Sequence, residues 1–266
     1  MKSAFALFTF SSLAVVALAA PAPAEKSAED NLPPPGDTEY WKPVPRAVAA
    51  PVGQPPSDAI VLFDGKSLDG WESVKNEGQP APWRLDGEGA MSAPPKSGDI
   101  RTKAAFGDVQ LHVEFRVKAG VTGKSQLRGN SGVFLMGLYE VQVLDSYQSE
   151  TYVNGQAASV YKQYPPLVNA SRAPGEWQTY DIIFTAPRFA ADGKLLSPAR
   201  LTVLHNGVLV QNHVELRGPT VYRGQPSYQP HAARLPITLQ EHTNDTPHAI
   251  SYRNLWVREL SSPDAT

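Results

Sequence analysis

The chain has 266 residues, of which 41% are hydrophobic and 19% charged, with a formal net charge of −2 and no cysteine. That length allows one large domain or two small ones, and a folded unit of roughly 200 residues can bury a full core. The missing cysteine excludes disulfides, thiolate metal sites and the cysteine-borne lipid anchor of bacterial lipoproteins, and the scattered Lys and Arg residues form no electrostatic footprint for nucleic acid.

The first element is Met1-Lys2 followed by an apolar run from Ala4 to Ala20, with small-residue exits at Ala17-Leu18-Ala19 and Ala22-Pro23-Ala24. This reads as a secretory signal peptide over residues 1–24. The alternative, a transmembrane anchor, suits it less, because a span needs roughly 20 apolar residues. An exported, disulfide-free domain of this size fits a bacterial periplasmic or secreted protein, with no stable membrane anchor once the signal is cleaved. Residues 25–56 are rich in Pro and Ala, including Pro33-Pro34-Pro35 and Pro55-Pro56, and show no sustained apolar period. They are expected to be an extended, mostly disordered linker. The character changes at Ala59-Ile60-Val61-Leu62-Phe63, which starts a folded domain expected over 57–262.

From there the pattern is short strands broken by turn dipeptides such as Asp64-Gly65, Asp86-Gly87, Asp192-Gly193 and Asn206-Gly207. Roughly a dozen strands with no amphipathic helical period predict an all-β fold, an antiparallel β-sandwich or jelly roll. VQLHVEFRV shows the principle: Val109, Leu111, Val113, Phe115 and Val117 point one way, while Gln110, His112, Glu114 and Arg116 point the other. His112 and Glu114 are therefore expected at the surface. Trp71, Trp83 and Trp177, at strand starts, are expected in the core.

GNSGVFLMGLYEVQVLDSY, residues 129–147, is the segment richest in candidate chemistry. Tyr139, Val141 and Val143 share one face of a strand and Glu140 and Gln142 the other, with Asp145 and Tyr147 just beyond. Met136-Gly137-Leu138 is expected to reverse the chain, pairing SGVFLM with YEVQVL and bringing Arg128 and Asn130 toward Asp145. From this strand alone, the polar face is expected to be a solvated outer surface rather than a site. Further along, PITLQEH places Gln240 and His242 on one strand face, and a shared sheet would gather these groups in one concavity. Amides and carboxylates there suit sugar hydroxyls, and Tyr147 or Trp256 could stack on a sugar ring.

Five stretches, LFDGKSLDGW, GNSGVFLMGLYEVQVLDSY, YKQYPPLVNASRAPGEWQTYDIIF, LHNGVLV and ITLQEHTN with YRNLWVREL, occur in family order over about residues 57–262. On these the chain resembles the 3-keto-disaccharide hydrolase domain family, whose fold is similar to concanavalin A-like lectins and glucanases. The resemblance implies a carbohydrate substrate, a glycoside oxidised to a ketone at its third ring carbon. It also implies cleavage by proton abstraction at the second carbon, elimination of the glycosidic oxygen and hydration of the enone. Glu140 and His242 would then form the acid and base pair, with neither role assigned. Asp145, Gln142 and Gln240 would orient hydroxyls, and Arg128 or Asn130 would steady the oxyanion. The resemblance also implies a possible divalent metal, for which oxygen ligands and one imidazole suit manganese, calcium or magnesium. The chain departs from the family after His242, where Thr243–His248 replaces a short glycine-containing turn. Two other readings share the fold: a non-catalytic carbohydrate-binding module, and a glucanase, for which no acidic pair alternates on one strand.

Overall fold

The structure, a computed structural model, describes residues 32–242 and 249–260. The chain divides into two units, Met1–Ala47 and Val48–Thr266. The described part of the first, residues 32–47, is exposed throughout and contains one 3-10 turn, Pro35–Thr38. The expected signal peptide and the Thr243–His248 loop lie outside the described residues.

Alternation of apolar and polar residues builds the second unit. In chain order its strands are β1 (Ile60–Phe63), β2 (Trp71–Ser73), β3 (Arg84–Leu85), β4 (Met91–Ser92), β5 (Ile100–Phe106), β6 (Val109–Val117), β7 (Ser131–Leu135), β8 (Tyr139–Val143), β9 (Trp177–Thr185), β10 (Arg188–Phe189), β11 (Leu195–Ser197), β12 (Arg200–His205), β13 (Val208–Glu215), β14 (Leu235–Leu239) and β15 (Ile250–Glu259). Helix among the described residues is confined to short 3-10 turns. One large sheet runs β13-β12-β9-β6-β15-β4-β3, with β1 also on β15, and a five-stranded sheet runs β2-β5-β14-β7-β8. Leu111, Val113 and Phe115 of the large sheet and Val133, Leu135, Val141 and Val143 of the small one belong to a single buried core. Burying each such side chain stabilises the fold by about 1.5–3 kcal/mol. Polar cross-links join the layers: the Tyr180 hydroxyl donates to the Gln142 carbonyl at 2.8 Å, and the Ser131 and Tyr252 hydroxyls lie 2.7 Å apart. This is the expected antiparallel, concanavalin A-like β-sandwich.

The turns form where the sequence allows positive φ. Met136 and Gly137, at φ 56° and 67°, reverse the chain between β7 and β8, and Asn206 and Gly207, at 53° and 79°, do so between β12 and β13. The first hairpin sets Gly132 opposite Gln142 and Phe134 opposite Glu140.

Three expectations about the large sheet need correction. His112 and Glu114 are half-buried rather than simply exposed, because His112 Nδ1 meets Asp181 at 2.7 Å and Glu114 accepts from Arg253 and Asn254. Trp177 is half-buried rather than in the core, with the Arg253 and Arg116 guanidinium groups 4.0 and 4.6 Å from its ring. Trp256 does not face the YEVQV strand. It stacks on His112 at 5.1 Å, because a bulge in β15 between Arg253 and Trp256, with Asn254 at φ 48°, shifts the alternation.

Candidate functional site

The site lies on the face of the small sheet turned away from the core. β8 is an edge strand, and an edge leaves unpaired backbone groups that another segment must satisfy. Residues 158–161 do this: Ala158 N donates to Gln142 O, Gln142 N to Ser159 O, and Tyr161 N to Glu140 O, at 2.9, 3.0 and 3.3 Å. A second segment is fastened alongside, where Thr220 N donates to Leu138 O at 2.8 Å and the Thr220 hydroxyl accepts from Glu140 N at 3.0 Å. The polar face of β8 is consequently roofed. Glu140 is 4% exposed and Gln142 1%, so the expectation of a solvated outer face gives way to a buried polar floor.

Roof and floor enclose a cavity of about 560 Å³, within the size range of small-ligand sites. Glu140, Gln142, Asn130, Gln240 and His242 line it, so the carboxyl at 140 and the imidazole at 242 face one hollow. The link is the sheet order, in which β7 separates β14 from β8 by one strand. β14 ends at Leu239, and the next residues are held by Gln240 N donating to Gly132 O at 3.0 Å and Ser131 Oγ donating to Gln240 O at 2.6 Å.

Gly132 makes room for the carboxyl. A β-carbon there would lie 2.7 Å from Glu140 Oε1 and 2.8 Å from the Phe134 ring. Beside it, the Gln142 amide, with its nitrogen turned toward Ser131, donates to the Ser131 carbonyl at 2.9 Å and to Glu140 Oε1 at 3.0 Å. No cation pairs with Glu140 among the described residues, so burial, and then the charge of Asp99, push its pKa up to about 8. At neutral pH it holds its proton. Burial also lowers the pKa of His242, against the opposing pull of Glu241, so its neutral imidazole dominates at pH 7.

The other three candidates sit elsewhere. Arg128 and Asp145 form an ion pair at 2.6 Å, Asp145 being 2% exposed, and Asp145 Oδ1 also accepts from Tyr147 N at 3.1 Å. Neither residue lines the cavity, and nor does Tyr147. Their proximity to one another was legible; their use within the hairpin's own structure was not.

The cavity also contains groups that the sequence reading passed over: Gln126, Phe134, Tyr152, Tyr161, Lys162 and Tyr222. The Tyr161-Lys162-Gln163-Tyr164 run, with no strand period, was the available signal. Asp99 was missed as well. It accepts from Glu241 N at 2.8 Å, while Glu241 Oε2 accepts from Gly98 N at 3.2 Å, and so fastens the backbone next to His242. Among the described residues no cluster of three or more His, Asp and Glu groups is placed to hold a metal ion. The Glu140 carboxyl, the His242 imidazole and the amide oxygens of Gln142 and Gln240 are the lining groups that could meet a divalent ion.

The 3-keto-alpha-glucoside-1,2-lyase-like domain family matches residues 58–258. A 3-keto-disaccharide hydrolase of Bacteroides thetaiotaomicron is 26% identical over 166 residues, covering 49% of this chain and 54% of that protein, so the match spans about half of that relative. A solved protein from Parabacteroides distasonis, assigned to the glycosyl hydrolases, is 48% identical with a TM-score of 0.81, covering 85% of this chain and 97% of that one. A second from the same organism, 16% identical with a TM-score of 0.53 over 77% of this chain and 94% of that one, shares the fold. The chain belongs to the 3-keto-alpha-glucoside-1,2-lyase-like domain family.

Proposed function

We propose that this protein is an exported enzyme that cleaves 3-keto-glycosides by elimination followed by hydration. The observation that carries the proposal is the cavity shared by Glu140 and His242, with the carboxyl's pKa raised to about 8 and the imidazole's lowered. The family and the named activity of the Bacteroides relative supply the substrate class.

A ketone at the third ring carbon acidifies the hydrogen on the second. The neutral His242 imidazole takes that proton, and the electron pair forms the double bond between the first and second carbons as the glycosidic bond breaks. Glu140 gives its proton to the departing oxygen. Water then adds to the enone: its oxygen bonds to the first carbon, the proton held by His242 returns to the second, and Glu140 regains a proton from the water. Protons and electrons balance, and the net change is hydrolysis. The opposite shifts in the two pKa values support this division of roles.

Among the cavity's side-chain amides, Gln240 would donate to the enolate oxygen, a reading supported by the Asn130 amide's donation to Gln126 O at 2.7 Å. Arg128 takes no part in this role, since its guanidinium is committed to Asp145. A module that merely held sugars would gain nothing from burying an unpaired acid at the floor, which costs stability. Export belongs to the same proposal and rests on the apolar leader before Ala24.

The test is product release from a 3-keto-disaccharide by the purified chain, with Glu140→Gln and His242→Ala alongside. Each variant is expected to lose roughly 10²–10⁴-fold in kcat. Cleavage at the wild-type rate by both would refute the assignment, and saturable sugar binding without product would favour the module.

A further inference from the structure

We propose that a trough on the outer face of the large sheet, floored by Ser92 and Ser251 and ended by Arg84 on one side and by Arg116 and Lys118 on the other, binds an acidic polysaccharide through its carboxylate or sulfate groups. It lies on a different sheet from Glu140, and it would hold the protein on a polymer while leaving the Glu140 cavity open.

Strand register builds the trough. Arg84 on β3 pairs with Ser92 on β4, Ser92 with Ser251 on β15, and Ser251 with Arg116 on β6. Directly opposed residues share a sheet face, and their chain neighbours Met91, Phe115 and Tyr252 are buried in the core, so this row points outward. Two short hydroxyl side chains thus lie between two long cationic ones, in a row that spans about 14 Å at the usual spacing between strands. The hollow measures about 570 Å³, and Lys118, two residues beyond Arg116, joins its lining.

The cations at its ends are left for a ligand. Arg84 and Lys118 are exposed, and neither side chain has a hydrogen-bond or ion-pair partner among the described residues. The nearby carboxylates are each engaged: Asp86 Oδ1 accepts from Glu88 N at 3.0 Å and from Ala90 N at 2.9 Å, and Glu88 Oε2 accepts from Arg116 Nη2 at 2.8 Å. Arg116 is also held over the Trp177 ring at 4.6 Å, so its remaining N–H groups are ordered in advance. Separate cations at the two ends suit acidic groups on different sugar units of one chain, and the serine hydroxyls between them suit sugar hydroxyls. Nucleic acid, with a phosphate at every nucleotide, would call for a denser basic stripe.

The test is affinity electrophoresis of the full chain in gels containing polygalacturonate, dextran sulfate or neutral dextran, with duplex DNA as a fourth arm. Retardation is expected with an acidic polysaccharide and not with neutral dextran, and it should weaken as salt rises. The two acidic gels tell carboxylate from sulfate as the group recognised. Combining Arg84→Ala with Lys118→Ala is expected to weaken binding about tenfold at an unchanged Tm. Lys103→Ala with Lys194→Ala removes the same charge from exposed lysines elsewhere and should leave affinity within about twofold of wild type. No retardation by either acidic polysaccharide, the same affinity in both double variants, or tighter binding of DNA would each overturn the trough as a polysaccharide site.

Discussion

Two strands of this sandwich carry the same alternating pattern, and their polar faces have opposite electrostatics. On β6, Glu114 accepts from Arg253 at 2.6 Å and Asn254 at 2.8 Å. Burial opposes ionisation there, but bonds with His112, Asn254 and Arg253 prevail and bring the Glu114 pKa down to about 2. Burial likewise works against the charge on His112, and Asp181 and Glu114 overcome it, raising its pKa to about 9. On β8, Glu140 is more deeply buried and has an amide rather than a cation beside it, so its pKa moves the other way. A buried acid with charged partners is part of a scaffold; one left holding a proton over a cavity is available for chemistry.

The largest expected contrast is in turnover. Glu140→Gln should cost roughly 10²–10⁴-fold in kcat, whereas Glu114→Gln, on the other sheet, should change kcat less than about twofold. A steady-state assay of both variants decides this, and comparable losses would erase the distinction.

Stability against pH comes next. Between the ordinary glutamate value of 4.5 and about 8, the folded chain binds a proton at Glu140 that the unfolded chain has released. Stability from this group therefore falls as pH rises through that window, by roughly 3 kcal/mol at pH 7. Glu140→Gln should remove that loss, gaining several degrees in Tm over wild type at pH 8 and little at pH 4.5. For Glu114 the sign reverses: its contribution is present above 4.5 and is lost as pH falls toward about 2. Thermal melts of both variants from pH 3 to 9 would show the two opposite slopes.

A subtler change keeps every catalytic group. Gly132→Ala would put a methyl 2.7 Å from Glu140 Oε1, and the carboxyl would have to shift. A displacement near 1 Å costs on the order of 10²-fold in rate, so kcat should drop while cooperative melting is preserved. The smallest effect is the stability cost of Glu114→Gln at pH 7, about 1–2 kcal/mol in denaturant titration, because its partners are half in solvent.

Much of this was legible in the sequence, for physical reasons. VQLHVEFRV has a period of two from end to end, and β6 spans Val109–Val117 as read. Asn206-Gly207 advertises its turn because Asn and Gly both tolerate positive φ, and at Met136-Gly137 the glycine alone carries the signal. Alternation put Glu140 with Gln142 on β8, whereas Gln240 and His242, expected on a strand face, lie past the end of β14 at Leu239 and still line the same cavity. The roof was hidden because residues 152–162 and 220–222 are loops whose positions depend on long-range bonds rather than on periodicity. Arg128 and Asp145 were expected to be close, but residue type alone does not tell an ion pair from a ligand site. Trp256, expected to be available to a sugar ring, instead stacks on His112 of the large sheet, beside the bulge at Asn254.

The most direct measurement is the titration of the Glu140 carboxyl itself, followed by carbon NMR on glutamate-labelled protein and identified by its absence from Glu140→Gln. One glutamate signal should titrate near pH 8, far above the rest. If every glutamate carboxyl titrates below about pH 6, then Glu140 is ionised at neutral pH and has no proton to give the departing oxygen.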